Sequence, residues 1–137
     1  MDMTTITEDY VSFEMAKLLK EKGFDEPCCG SYSYRGGNVV VRASKLSNTD
    51  LCYHPDISGI SAPTLQMTMK WLRNVHGVYY DIQLLLGDKA EKYGDLQLGV
   101  YQLSSSGAYK WECWLYADTY EELYEKYIKY CLENLIK

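Results

Sequence analysis

Val78-Tyr79-Tyr80-Asp81-Ile82-Gln83-Leu84-Leu85-Leu86 sets Val78, Tyr80, Ile82, Leu84 and Leu86 against Tyr79, Asp81 and Gln83. A period of two places the first set on one side of an extended chain and the second on the other, so the stretch predicts a strand with one face on a core. Leu96 to Leu103 and Tyr109 to Tyr116 alternate in the same way, joined by the charged segment Gly87 to Asp95 and by Ser104-Ser105-Ser106-Gly107. Such short connections predict an antiparallel meander. In its third strand, strict alternation groups Tyr109, Trp111, Cys113 and Leu115 on one face and Lys110, Glu112, Trp114 and Tyr116 on the other. Trp114 and Tyr116 then stand on the polar side.

Amphipathic helices flank the meander. Before it, Ser61-Ala62-Pro63 opens a helix with Pro63 at the first position, where a missing N–H costs nothing. Leu65, Met69, Leu72 and Val75 form its apolar stripe, Trp71 flanks the stripe, and Gln66, Lys70, Arg73 and Asn74 face water or a partner, up to the stop at Gly77. After the meander, Thr119 and Glu122 have the spacing of a capping box, and Tyr120, Leu123, Tyr127, Ile128, Cys131 and Leu135 give a second stripe. Nearer the start, Asp9 to Gly23 reads as a helix carrying Val11, Met15, Leu18 and Leu19, with Thr7 or Ser12 as cap, and Gly23-Phe24 has the chemistry of a Schellman stop.

Between the first two helices the signals are shorter. Asp25 to Gly30 reads as a loop, Tyr32 to Arg35 and Asn38 to Arg42 as a hairpin turning at Gly36-Gly37, and Ala43 to Gly59 as an irregular segment. The order predicts an α+β fold: a mostly antiparallel twisted sheet of about five strands, with three helices packed mainly on one face, in a single domain over residues 1–137.

A chain of 137 residues with 47% apolar and 24% charged side chains can bury a core. Its net charge of −5 and lack of any Lys/Arg run argue against double-stranded nucleic acid as a partner. Met1 to Thr7 lacks the basic and apolar pattern of a secretory signal, and no apolar stretch nears the ~20 residues of a bilayer span, so the expected compartment is the cytoplasm. Five cysteines, an odd number with two adjacent, make a disulfide framework a poor expectation. Fourteen Tyr against two Phe point to recognition, because Tyr joins an apolar body to a hydroxyl that seeks a partner.

Ser61-Ala62-Pro63-Thr64, Lys70-Trp71-Leu72-Arg73, Val75-His76, the stretch EMAKLLKEKGFD from Glu14 to Asp25, and the region of Thr119-Tyr120-Glu121-Glu122 carry a likeness. On these segments the chain resembles a group of small proteins encoded by gut Bacteroidales and by their phages and mobile elements. The resemblance implies a bacterial host cell and brings no catalytic residues with it.

Cys28, Cys29, Cys52 and His54 are the donors that would suit a tetrahedral zinc, but no C-x-x-C pair is present, and small structural thiols are the plainer reading. Lys70, Arg73 and His76 can form an anion-binding corner, against the plainer reading that cations near a helix C-terminus complement its dipole. The glycines match no phosphate-cradling fingerprint. Tyr32, Tyr34, Trp71, Trp114 and Tyr116 are candidates for an exposed aromatic surface. The expected function is a non-enzymatic binding protein that needs no cofactor. It would engage a host protein, or form a homo-oligomer, through Lys70, Trp71, Arg73, His76, Tyr34 and Trp114. Two alternatives remain: sequestration of a small anionic ligand such as a signalling nucleotide, in a pocket where rings and Arg73 or Lys70 converge, and an enzyme whose residues no motif reveals.

Overall fold

The structure, a computed structural model, describes residues 9–53 and 59–136. It is α+β and divides into two compact units, one ending at Leu65 and the other beginning at Gln66.

In the first unit α1 spans Phe13–Glu21. The Ser12 Oγ accepts from the Met15 N–H at 3.2 Å, satisfying one orphan donor of the first turn. Thr7, the other expected cap, lies outside the described residues. At the far end Gly23 takes φ +93°, its N–H donates to the Lys20 carbonyl at 3.2 Å, and the Phe24 N–H donates to the Leu19 carbonyl at 2.9 Å. These are the two bonds of a Schellman cap.

Strands β1 (Cys28–Ser33) and β2 (Gly36–Leu46) form an antiparallel hairpin, and β3 (Ile60–Ser61) pairs with the other edge of β1, giving the order β2-β1-β3. The chain reverses over Tyr34-Arg35, not at the expected Gly36-Gly37. Both glycines open β2 with φ +87° and +93°, next to a register shift between Ser31 and Ser33. They absorb the left-handed backbone that a bulge beside a tight turn requires. Strand β1 also begins inside the expected loop.

The expected irregular segment contains α2 (Asn48–Tyr53). Ser47 and Asp50 cap it reciprocally: the Ser47 N–H donates to Asp50 Oδ2 at 2.9 Å and the Asp50 N–H to Ser47 Oγ at 3.1 Å. Asp25 accepts from the Thr49 hydroxyl and from its N–H, and these bonds hold the Asp25 carboxyl below its usual range. The buried Asn48 joins three segments, donating from Nδ2 to the Phe24 carbonyl at 2.7 Å and accepting at Oδ1 from the Ser61 N–H at 2.9 Å. Val11, Ala16, Leu19, Phe24 and Leu51 are buried almost completely.

Helix α3 (Leu65–His76) carries the chain into the second unit and stops at Gly77, φ +66°. It is followed by β4 (Val78–Leu84), α4 (Asp88–Tyr93), β5 (Leu96–Leu103), β6 (Tyr109–Ala117) and α5 (Tyr120–Tyr130). A π-helical turn, Cys131–Leu135, extends the last helix. Thr119 caps α5, its hydroxyl accepting from the Glu122 N–H at 3.2 Å. The three strands form the predicted antiparallel meander in the order β4-β5-β6. Helix α5 packs on β5 and β6, where Leu98, Val100, Leu123 and Ile128 are fully buried.

The expected sheet of about five strands is replaced by two three-stranded antiparallel sheets, and the described residues contain five α-helices rather than three. The hairpin β1–β2 pairs with Ile60–Ser61 and not with the meander. The two added helices, α2 and α4, have six residues each, too short to show a 3.6-residue period. Alternation also overstates β4: the strand ends at Leu84, and Leu84 and Leu86 are 66% and 76% exposed. Val75 and Tyr120 leave their expected apolar stripes for solvent.

Candidate functional site

Cross-strand pairing assigns each residue of the second sheet to a face. Tyr80 pairs with Val100 and Val100 with Cys113; Ile82 pairs with Leu98 and Leu98 with Leu115. This face meets α5, and the Tyr80 ring lies 5.2 Å from that of Tyr127. On the opposite face Tyr79 pairs with Tyr101, Tyr101 with Trp111, Gly99 with Trp114, and Gln97 with Tyr116.

The strict alternation expected for β6 breaks at one position. Val100 faces Cys113 while its neighbour Tyr101 faces Trp111, so Glu112 is an extra residue, a β-bulge. A bulge shifts the parity of everything beyond it. Tyr109 and Trp111 therefore share a face with Trp114 and Tyr116, instead of standing opposite them. The bulge turns two half-rows of rings into one.

That face is open. Tyr109 is 57%, Trp111 48% and Trp114 39% exposed. The rings contact each other: Tyr79 and Tyr109 meet edge to face at 5.2 Å, and Trp111 and Trp114 are tilted at 5.8 Å. Tyr93, from α4, stacks on Tyr116 at 4.8 Å with planes 22° apart. Local desolvation and the adjacent Tyr79 hydroxyl raise the Tyr109 phenol above its ordinary pKa. Among the rings stand neutral amides and one carboxylate: Gln97 Nε2 donates to Gln83 Oε1 at 3.4 Å, and Asp81 faces Gly99. No Lys or Arg of the three strands lies on this face; Lys110 pairs with Gln102 on the other.

The residues expected to form one site are dispersed. Lys70 and Arg73 are exposed on α3, as their spacing predicts. Trp71 is buried at 6% exposure, so it presents no ring face to a ligand. His76 sits edge-on to Trp71 at 4.5 Å, its Nε2 buried without a hydrogen-bond partner, and burial lowers its pKa. A neutral, inward ring adds no charge to an anion-binding corner. Tyr32 is also buried, its hydroxyl donating to the Val11 carbonyl at 2.6 Å.

Tyr34 lies in the first unit beside an open groove of about 420 Å³ with Phe13, Lys17 and Lys20. Lys17 stands 5.0 Å above Phe13 and Lys20 5.3 Å above Tyr34, but Lys17 is also paired with Glu14 at 3.4 Å. Of the zinc candidates, Cys28 is buried with its thiol toward the Gly30 carbonyl, Cys52 is exposed, and His54 lies outside the described residues. Among the described residues no three His, Cys, Asp or Glu side chains are grouped to hold a metal ion. No helix of the structure is long and apolar enough to cross a membrane.

Comparison with protein-family models, with curated proteins and with solved structures finds no match to the chain.

Of the open face, sequence reasoning singled out Trp114 and Tyr116 and missed Tyr79, Tyr93, Tyr101, Tyr109 and Trp111. A signal was available, since seven Tyr and Trp residues besides Tyr80 crowd between Val78 and Tyr116 inclusive. What hid their common face was the bulge, which leaves no mark in a two-residue pattern.

Proposed function

We propose that the protein is a non-enzymatic binding module whose recognition surface is the open aromatic face of the β4-β5-β6 sheet. The observation that carries this reading is the single-sided row of Tyr109, Trp111, Trp114 and Tyr116, the first three exposed and Tyr116 half-buried. Aromatic side chains are the richest source of binding energy at protein surfaces, and a contiguous exposed patch of them marks an interaction site. The bacterial setting implied by the sequence resemblance puts the partner in a host or phage context. The surface chemistry favours adhesion over catalysis, because Asp81 is the face's lone strand carboxylate and has no acid/base companion beside it.

The groove at Tyr34, with two lysines over two rings, favours the second reading, capture of a small anionic ligand. It is the weaker one: the groove is open, Glu14 and Glu21 offset its lysines, and neither Lys70 nor Arg73 lines it.

Oxidative footprinting in a bacterial extract tests the main reading. Trp111, Trp114 and Tyr109 become protected as extract is added, while the buried Trp71 stays unreactive throughout. Unchanged oxidation of all three surface rings at every extract concentration would remove the proposed surface.

A further inference from the structure

We infer that the occupant of the aromatic face is a neutral oligosaccharide, bound along the sheet by stacking of sugar C–H faces on Trp111 and Trp114. The inference rests on the binding-module reading above and specifies its ligand.

Charge decides against one large class of partner. Binding a polyanion requires several cations; the three strands contribute none to this face, which carries Asp81, and only Lys92, over the Tyr93 ring, stands at its border. Area decides against a second. Tyr93, Leu103, Tyr109, Trp111 and Trp114 are 39 to 57% exposed. At about 150–250 Å² per aromatic side chain they offer on the order of 500 Å² of apolar surface, so reaching the roughly 800 Å² that each partner commits to a standard protein interface would mean covering the polar residues of the face as well. A face-to-face dimer would also cover the phenol hydroxyls, the Gln83–Gln97 amide pair and Asp81 with another row of rings, leaving polar groups unpaired.

The remaining partner must show apolar patches and hydroxyl groups side by side, without net negative charge. A pyranose ring has this pattern. Its axial C–H bonds form a flat apolar face that fits an indole, while equatorial hydroxyls reach outward to amides and carboxylates. The site offers both. Trp114 leans across Gly99, with Cζ3 only 2.7 Å from where a Cβ would stand, so the ring is held low over the sheet. Gln97, Gln83 and Asp81 are next to it on the same face. From Tyr109 to Tyr116 the row runs about 20 Å at the rise of a strand. Strands β4 and β6 are sheet edges, so no further strand walls the long sides of the row, while Tyr93 stacks on Tyr116 at one end. An open platform takes a run of linked sugars rather than a terminal one.

Affinity electrophoresis through gels containing neutral β-glucan, α-glucan, xylan or mannan tests this, with heparin and polygalacturonate as anionic controls. At least one neutral polysaccharide is expected to retard the protein, and the retardation persists in 0.5 M NaCl. Trp111→Ala and Trp114→Ala, each checked for an unchanged circular dichroism spectrum, weaken it at least tenfold. The milder Gln97→Ala weakens it severalfold, and the remote Lys70→Ala leaves it unchanged. Retardation by no neutral polysaccharide, retardation only by the anionic ones with loss in salt, or a dimer that Trp111→Ala dissociates would each overturn the inference. Should footprinting in polysaccharide-free extract still protect Trp111 while the gels show nothing, the glycan is wrong and the binding face stands. If neither responds, both fall.

Discussion

Trp114 occupies the space that any side chain at Gly99 would need. The two residues are cross-strand partners, and a Cβ at Gly99 would lie 2.7 Å from Trp114 Cζ3 and 3.2 Å from Tyr101 Cε2. Gly99 is buried although it sits on the open face, because the indole covers it. Gly99→Ala must therefore lift the indole off the sheet, at an overpacking cost of about 1–2 kcal/mol. Near-ultraviolet circular dichroism, which reports the Trp environment, should change while the far-ultraviolet spectrum does not. An unaltered near-ultraviolet spectrum would mean that the ring is not seated on Gly99.

Asn48 is the polar clip of the first unit. Replacing it with Ala strips the Phe24 carbonyl and the Ser61 N–H of their partner, and each orphaned buried group costs about 1–3 kcal/mol. The expected loss in urea denaturation is 2 kcal/mol or more on the order-of-magnitude scale of such deletions. Hydrogen exchange should rise in α2 and β3 first. A loss below about 0.5 kcal/mol, the range of an ordinary surface change, would show that water replaces the clip.

His76 predicts a direction of pH dependence. Burial sets its folded pKa below the value near 6.5 that it has in the unfolded chain. Between those two values the unfolded chain binds the extra proton, so the His76 contribution is complete above about pH 6.5. It is lost as the pH falls from there, and levels off below the folded pKa. His76→Gln removes this part of the acid-side slope. Urea midpoints of the two proteins at pH 8, 6.5 and 5.5 should diverge only toward acid; parallel curves would show a ring that protonates freely.

Tyr127 is fully buried, and its hydroxyl makes no well-formed hydrogen bond, although the Cys131 thiol, Tyr80 and Arg73 lie close enough to act on it. Burial drives the phenol pKa far up. Tyr127→Phe should be neutral or stabilising by about 1 kcal/mol, since it removes an unsatisfied group and keeps the ring. Tyr127→Ala should cost about 3–5 kcal/mol, the range of large aromatic truncations. A clear loss in the Phe variant, measured by thermal or urea unfolding, would reveal a bond to the hydroxyl.

The elements with long local signals were legible. Gly23-Phe24 predicts its cap, Thr119 and Glu122 predict theirs, and the three alternating stretches from Val78 predict the meander, because each rests on neighbours within one or two turns. Pairing between distant segments was not. Ile60–Ser61 is a two-residue strand without a pattern of its own, yet it pairs with β1 and completes the first sheet. The site was half legible for a related reason. Exposure of Lys70 and Arg73 follows from helical period, whereas burial of Trp71 and His76 depends on what packs around α3, and the common face of Trp111 and Trp114 depends on one unpaired residue.

That surplus residue makes the aromatic row unequally sensitive to changes in the gene. Loss of a single codon between Trp111 and Trp114 would straighten the strand and leave all four rings on their present side. Loss of the codon for Lys110 or for Leu115 would instead send Tyr109 or Tyr116 to the helix side, breaking the row at one end. Small deletions along this one strand should thus separate into silent and disabling classes according to position alone.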